Sequence, residues 1–210
     1  MIRTPVNIVW FKRDLRFVDN EALFAAHNSG LPLLLVYFFE PSVMNYDDGD
    51  VRHWRFVYES IQDLEKKLNP INATIYFFHN EVATVFKELV GQYEIKTVFS
   101  HQEIGNKVTY DRDLAMQEFF QQNNISWKES QMHGVIGRLN VAQLDPAFYD
   151  KLKGENLSQE ITTRNTNFQQ GGEYWAWRYL DSFVKERYVN YSKHISKPAL
   201  SRTGCSRLSP

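Results

Sequence analysis

The sequence predicts a doubly wound, Rossmann-like α/β fold, in which a five-stranded parallel sheet carries helices on both faces. Two observations support this prediction. Five short segments are apolar and rich in β-branched and aromatic residues, which is typical of buried strands. Segments with helical spacing separate them, and this alternation indicates parallel strands joined by right-handed crossovers. The ligand crevice of such a sheet lies at the carboxyl ends of its strands.

The predicted elements alternate from the N-terminus onward. The strands cover residues 6–10, 33–39, 73–78, 97–100 and, more weakly, 125–127. The helices cover residues 21–27, 52–68, 81–90 and 110–122, the first of them after Asp19 and Asn20 as candidate caps. In the second helix, apolar residues recur at three- and four-residue steps. This spacing predicts one buried face, made by Trp54, Val57, Ile61, Leu64 and Leu68.

The alternation stops near residue 131, and a long irregular stretch follows. We therefore expect an α/β domain over residues 1–131, an interdomain linker over 132–170 and the start of a helical domain over 171–210. One face of its helix is apolar and is made by Ala176, Leu180, Phe183, Val184 and Tyr188. Because little sequence follows to cover that face, we expect the helical domain to be incomplete in this chain and the face to favour self-association.

Composition excludes several classes of protein. The 210 residues carry 24 basic and 25 acidic side chains, so a net charge of -1 gives no global electrostatic reason to bind nucleic acid or an acidic membrane. Cys205 is the single cysteine, which excludes an internal disulfide and fits a reducing compartment. The N-terminus has no signal-peptide pattern, and no apolar run reaches the roughly 20 residues of a membrane helix. We therefore expect a cytoplasmic protein.

The first predicted strand ends in a dense cluster of charge, WFKRDLRFVDN, over residues 10–20. This turn contains no glycine, whereas a dinucleotide-binding turn needs G-x-G-x-x-G and a P-loop needs G-x-x-x-x-G-K-[ST]. Both phosphate-binding loops are therefore excluded. One interpretation is a rigid turn in which Arg13 and Arg16 present guanidinium groups while Asp14 and Asp19 hold them or cap the next helix. The other is a network of surface ion pairs.

Metal binding and nucleophilic catalysis are not predicted. His101 and Glu103 stand two residues apart, and two candidate ligands without a third do not make a metal site. Cys205 belongs to no histidine-containing motif that would activate it as a nucleophile.

Several motifs resemble the DNA photolyase and cryptochrome family, in the family's order and along essentially the whole chain. The segment VWFKRDLRFVDNEAL is similar to the family's opening signature, an apolar strand followed by Trp-Phe, a basic residue, Arg-Asp-Leu-Arg and Asp-Asn-x-x-Leu. Four later segments are also similar to family segments: YFFEPSVM, VRHWRFVYESIQDLEKKL, SHQEIGNKVTYDRD and MHGVIGRLN. Two further segments, GGEYWAWRYLDSFVKERYVNYSKHISKP and CSRLSP, resemble the first helix and first FAD-binding loop of the family's helical domain.

The resemblance implies a two-part protein that responds to blue light. Its α/β domain holds an antenna chromophore, such as a folate, a deazaflavin or FMN, and its helical domain holds FAD. In a photolyase the excited reduced flavin donates an electron to a pyrimidine dimer in damaged DNA, and the dimer then splits; a cryptochrome uses related photochemistry for signalling. The chain is then expected to be the N-terminal portion of such a protein and, with an incomplete FAD pocket, to be inactive on its own.

The resemblance also implies two sets of site residues. The antenna chromophore is expected at motif-matched positions after the first, second and fourth strands: Phe11, Arg13, Asp14, Arg16, Glu40, Met44, Arg52 and Glu103. Glu103 is suited to accept from the amino-pyrimidine edge of a pterin, and Arg13 or Arg52 to hold an acidic tail or a phosphate. The partial FAD site is expected at Tyr191, Cys205, Ser206, Arg207, Leu208 and Ser209, with Cys205 where threonine or serine is frequent in the family.

Two other interpretations remain open. A truncated family member would be a non-catalytic α/β module whose crevice is free for another ligand or partner. A nucleotide-binding protein of the wider doubly wound class would bind ATP or AMP at the same crevice, although the chain has no phosphate loop.

Overall fold

A parallel sheet forms the centre of the computed structural model, which describes residues 3–130 and 139–190. The strands are β1 (Thr4–Phe11), β2 (Leu33–Phe38), β3 (Ile75–Phe78), β4 (Tyr93–His101) and β5 (Ser126–Ser130). Their spatial order in the described residues is β3-β2-β1-β4-β5, and every neighbouring pair is parallel. The predicted doubly wound α/β fold is therefore confirmed.

Helices connect the strands, and further helices come after the last strand in the sequence. Those within the alternation are α1 (Glu21–His27), α2 (Pro41–Met44), α3 (Val51–Leu68), α4 (Val82–Gln92) and α5 (Lys107–Gln122). Later in the chain come α6 (Pro146–Leu152), α7 (Gln159–Thr162) and α8 (Glu173–Ser182). A 3₁₀ turn (Asn69–Ile71) follows α3, and a π-helical turn (Phe183–Arg187) and a 3₁₀ turn (Tyr188–Asn190) follow α8. Within the described residues, no helix combines the length and the apolar character needed to cross a membrane.

Two apolar cores lie on opposite faces of the sheet, because alternate side chains of each strand point to opposite sides. On one face, α4 and α5 bury Phe86 and Phe120 against Trp10. On the other, α1 and α3 pack against Phe11 and Phe39. The buried face predicted for the helix over residues 52–68 is confirmed, since all five of its residues are buried.

Element boundaries differ from the prediction where burial is partial. β4 begins at Tyr93 rather than at residue 97, because exposed Glu94 and Lys96 interrupt its apolar pattern. β5 lies at the edge of the described sheet and is largely exposed, which explains its weak apolar signal. α5 begins at Lys107 because Asn106 caps it, accepting from the backbone N–H of Thr109 at 3.2 Å.

The stretch over residues 132–170 is not wholly irregular, since it contains α6 and α7. Asp145 caps α6 by accepting from the backbone N–H of Phe148 at 3.0 Å. Leu144 and Leu152 join one core of the α/β domain, and Ile161 joins the other. Helices this short show too few turns for periodicity to reveal them. The boundaries of the three predicted segments stay a prediction.

Helix α8 packs on α3 and leaves part of its apolar surface uncovered. Asp63 Oδ2 accepts from the backbone N–H of Tyr174 at 3.1 Å, and Lys67 pairs with Glu173 at 2.8 Å. Trp177 on α8 is more than half exposed, as is Val184, a residue of the predicted apolar face in the π-helical turn that follows α8. Self-association through this surface stays a prediction.

Candidate functional site

A cleft lies at the carboxyl edge of the sheet, where β1, β2 and β4 end. Because β1 stands between β2 and β4, the crossovers on its two sides run in opposite directions along the sheet and leave a crevice there. The cleft has a volume of about 50 Å³. It is lined by Trp10, Phe11, Lys12, Arg13, Tyr37, Phe38, Glu40, Val43, His53, Trp54, Glu103 and Arg112.

Arg112 is the centre of a buried ion network in this cleft. Its Nη1 donates to Glu40 Oε1 at 2.7 Å, and its Nη2 donates to Glu103 Oε2 at 2.6 Å. Arg13 Nε donates to Glu103 Oε1 at 3.0 Å. Glu40 follows β2, Glu103 follows β4 and Arg112 lies on α5, so these bonds join three parts of the fold. The side chains of Glu40 and Glu103 are only 3% and 7% exposed.

Burial and charge shift the pKa values of these groups in different directions. Burial raises the pKa of Glu40 to about 7, because Arg112 offsets only part of the lost hydration. Burial acts on Glu103 in the same direction, but the Arg112 charge and hydrogen bonds from Arg112 and Arg13 hold the pKa of Glu103 below its usual value. Burial by itself lowers the pKa of Arg112, but the nearby charges of Glu40 and Glu103 outweigh burial and raise this pKa. Glu103 is therefore ionised at neutral pH, whereas Glu40 titrates near neutral pH.

Aromatic side chains supply much of the remaining lining. Tyr37 is buried on β2, and this burial raises the pKa of its hydroxyl, so the group is neutral. Trp54 on α3 packs edge-on against Phe39, with 6.3 Å between ring centroids, and against His53 at 4.9 Å. Burial lowers the pKa of His53, which favours the neutral imidazole. The cleft thus combines buried charge with uncharged aromatic surface.

Two buried polar atoms of cleft residues have no hydrogen-bond partner within the described part of the chain: Glu40 Oε2 and Trp54 Nε1. The backbone N–H of Val82 faces the Glu40 carboxyl and lowers its pKa, but it makes no hydrogen bond of ordinary geometry to Oε2. Buried unpaired groups cost about 1–3 kcal/mol each, so such groups usually bond to water or to a ligand. The cleft therefore contains one donor and one acceptor that suit a bound molecule.

Lys12 extends the ion network towards β5. Its Nζ pairs with Asp113 at 2.9 Å and with Glu129 at 3.5 Å. It also lies 4.6 Å from the ring centroid of Trp10 and 5.0 Å from that of Trp127. These cation–π contacts and ion pairs hold a nearly buried ammonium in place. We therefore interpret Lys12 as a structural cation.

Asp14 organises the charged turn after β1. Its Oδ1 accepts from the backbone N–H of Lys12 at 2.8 Å, and its Oδ2 accepts from Asn20 Nδ2 at 3.1 Å and bonds to His101 Nδ1. Asn20 in turn caps α1, because its Oδ1 accepts from the backbone N–H of Leu23 at 2.9 Å. The buried Asp14 carboxylate therefore holds the turn in shape.

A larger cavity, of about 320 Å³, adjoins the cleft. It is lined by Lys12, Arg13, Asp14, Arg16, His101, Gln102, Glu103, Ile104 and Ser130. Arg13 and Glu103 line both spaces, so their ion pair lies between the cleft and the cavity.

The structure brings some of the expected antenna residues together and separates others. Those that line the cleft are Phe11, Arg13, Glu40 and Glu103, and Asp14 and Arg16 line the adjoining cavity. Met44 packs against the core that contains α1 and α3. Arg52 lies at the surface, where its Nε and Nη2 each donate to Asp50 at 2.8 Å. The expected FAD residues Tyr191, Cys205, Ser206, Arg207, Leu208 and Ser209 lie outside the described residues.

Arg112 is the main cleft residue that sequence reasoning missed. It belongs to the motif SHQEIGNKVTYDRD, but a single sequence does not show that it meets Glu40, which lies 72 positions earlier. Trp54 is predicted as a core residue of α3, and the structure shows that it is buried there and also lines the cleft. The sequence does not indicate that Tyr37 and His53 line a site, because neither residue stands out from its predicted strand or helix.

Comparisons with known proteins agree with the motifs. The family model described as DNA photolyase matches residues 7–149. Cryptochrome DASH of Synechocystis sp. is 28% identical over 119 residues, which are 54% of this chain and 24% of that protein. Cryptochrome-1 of Drosophila melanogaster is 26% identical over 139 residues, which are 63% of this chain and 26% of that protein.

Solved structures agree with the fold. A class III photolyase from Agrobacterium tumefaciens superposes with a TM-score of 0.71 and 18% identity, over 97% of this chain and 51% of that chain. An archaeal photolyase from Sulfolobus tokodaii, solved with two FAD molecules, gives a TM-score of 0.64 and 13% identity, over 94% of this chain and 56% of that chain. The chain thus spans about half the length of these relatives. Since the family match extends from residue 7 to 149, the chain belongs to the DNA photolyase family, whose relatives include photolyases and cryptochromes.

Proposed function

We propose that this chain is the light-harvesting α/β portion of a flavin-dependent blue-light photolyase or cryptochrome, and that its cleft binds an antenna chromophore. Family membership supports the class of protein. The observation that carries the chromophore site is the cleft at the carboxyl edge of the sheet, where aromatic side chains surround two buried carboxyl groups and two buried polar atoms lack a partner. This lining fits a flat heteroaromatic ring, which packs on aromatic surface and hydrogen-bonds along its edge.

The cleft residues have distinct proposed roles. Trp54 Nε1 is a donor for a ring carbonyl, and Glu40 Oε2 is an acceptor for a ring N–H. The side chain of Arg13 is 60% exposed, so it is accessible to the acidic part of a ligand. Folates and FMN combine a ring edge of this type with a carboxylate or phosphate tail, and a deazaflavin offers the ring edge alone.

FAD and damaged DNA belong to the second part of the proposal. We place FAD in the helical domain that begins near residue 171, with Tyr191 near the flavin and residues 205–209 in the first FAD-binding loop. Reduced FAD, when bound and excited, supplies the electron for splitting a pyrimidine dimer or for signalling. The residues of the α/β cleft hold and orient the antenna chromophore and do not transfer that electron. On this proposal the 210 residues alone do not repair DNA.

Titration with three chromophores tests the antenna site. The purified chain is mixed with FMN, 5,10-methenyltetrahydrofolate or 8-hydroxy-5-deazaflavin, and binding is followed by absorption and fluorescence of the chromophore. We expect at least one to bind with 1:1 stoichiometry and Trp54→Phe to weaken that binding about tenfold, because phenylalanine keeps a ring but removes the N–H donor.

Trp177→Phe is the matched control, since Trp177 lies on α8 and is 57% exposed. It should leave the affinity unchanged. A folded chain that binds none of the three chromophores would contradict the antenna site and favour the non-catalytic module.

A further inference from the structure

The cleft is the smaller of two adjoining spaces at the carboxyl edge of the sheet. Its volume is about 50 Å³. The adjoining cavity is larger, at about 320 Å³. The ion pair between Arg13 and Glu103 lies between the two spaces, because both residues line both of them. A ligand that extends from one space into the other therefore meets this ion pair.

The two partners of this ion pair are held very unequally. The side chain of Glu103 is 7% exposed and also accepts from Arg112 Nη2 at 2.6 Å. The side chain of Arg13 is 60% exposed. After separation of the pair, Glu103 keeps its bond to the guanidinium of Arg112, whose side chain is 12% exposed. Because Arg13 is the exposed partner and Glu103 the buried one, the Arg13 side chain is the one that moves.

The surroundings of Arg13 favour an anion as its new partner. Arg16 and the imidazole of His101 line the same cavity as Arg13. The two acids of that cavity already have partners, since Asp14 bonds to His101 and Glu103 bonds to Arg112. A guanidinium that leaves Glu103 therefore regains charge-assisted hydrogen bonds from a carboxylate or phosphate on the ligand.

We propose that Arg13 is a partner-switching gate, which leaves Glu103 and binds the acidic tail of an entering chromophore, so that the site selects anionic chromophores. This inference rests on the proposed function and adds to it which ligands the site prefers. Arg52, the other arginine that the sequence suggests for an acidic tail, is bonded twice to Asp50 and lies 5.5 Å over the ring of Phe168. The structure therefore assigns this role to Arg13.

FMN and riboflavin provide the test, because they share one ring system and differ by a phosphate. Flavin fluorescence is titrated with the wild-type chain, with Arg13→Gln and with Arg52→Gln as the matched control. We expect the wild type to bind FMN about tenfold more tightly than riboflavin. Arg13→Gln should remove this preference and bind riboflavin equally well or more tightly, since no ion pair has to separate. Arg52→Gln should keep the wild-type preference. Equal urea midpoints of the three proteins show that folding is intact.

The possible outcomes separate the gate from the proposed function. Arg13→Gln with the wild-type preference, or a wild type without preference, overturns the gate but leaves the chromophore site. If 5,10-methenyltetrahydrofolate binds and the flavins do not, a tenfold loss in Arg13→Gln on that ligand supports the gate, and equal affinity overturns it. Binding of the tail-free 8-hydroxy-5-deazaflavin alone also overturns the gate. Failure of every chromophore to bind contradicts the proposed function and the gate with it.

Discussion

Glu40 makes the stability of this protein depend on pH. Its pKa is about 7 in the folded protein, against 4.5 when unperturbed, and the cause is burial. Arg112 from α5 lowers this pKa in part, while Glu81, which precedes α4, raises it. Between pH 4.5 and 7 the folded chain therefore holds more protons than the unfolded chain, so the contribution of Glu40 to stability falls as the pH rises. The shift corresponds to about 3 kcal/mol.

Glu40→Gln tests this linkage. Glutamine stays neutral at every pH and keeps an oxygen that accepts from Arg112, so the destabilisation between pH 5 and pH 8 should shrink by up to about 3 kcal/mol relative to the wild type. Urea unfolding at the two pH values measures it. Glu118→Gln, at an exposed position of α5, should leave the pH dependence unchanged. A wild-type slope in Glu40→Gln would show that this carboxyl titrates in its usual range.

At the scale of elements, the degree of burial determines how clearly the sequence predicts a strand or a helix. All residues of β2 are buried, so its unbroken apolar run is easily recognised, whereas every residue of β5 is exposed or half-buried. The core face of α3 is predicted because a helix of this length shows several turns of periodicity. The cleft is predictable only in part. Motifs indicate Glu40 and Glu103 one at a time, but the arginine that joins them comes from α5, and tertiary packing alone brings it there.

The junction between α3 and α8 depends on Gly172. This residue has a φ of +114°, and a Cβ atom there would lie 2.7 Å from Cβ and 2.9 Å from Oδ2 of Asp63. That same Oδ2 accepts from the backbone N–H of Tyr174, in the first turn of α8. We therefore expect Gly172→Ala to loosen α8 from α3 and to lower the free energy of unfolding by about 1–3 kcal/mol.

Gly91→Ala is a control with the opposite expected sign. Gly91 lies within α4, and an added Cβ would have open space around it. Alanine should therefore stabilise the protein by up to about 1 kcal/mol through helix propensity. Urea unfolding, followed by tryptophan fluorescence, measures both variants. Equal effects of the two substitutions would contradict the crowding at Gly172.

At the scale of the whole molecule, strand order determines where chemistry is possible. The order β3-β2-β1-β4-β5 buries β1 between two neighbours and brings the ends of β1, β2 and β4 to one edge. Apolar cores fill both faces of the sheet, so buried charge collects at this edge instead. The fold class follows from alternating apolar runs, which are local in sequence. The cavities cannot be predicted from such local patterns, because their size depends on how side chains from distant segments pack.

This architecture predicts an uneven distribution of local stability. The central residues of β1 pair with strands on both sides and are completely buried, as for Ile8 and Val9. Helix α8 packs on α3 and leaves Tyr174 and Trp177 more than half exposed. We therefore expect amide hydrogens of β1 to exchange only through global unfolding, and those of α8 through local opening at a free energy several kcal/mol lower.

Hydrogen–deuterium exchange in low urea measures both, by mass spectrometry of peptides that cover residues 4–11 and 173–182. Exchange from β1 should accelerate steeply with urea while exchange from α8 changes little, and equally steep responses would mean that α8 unfolds only together with the sheet.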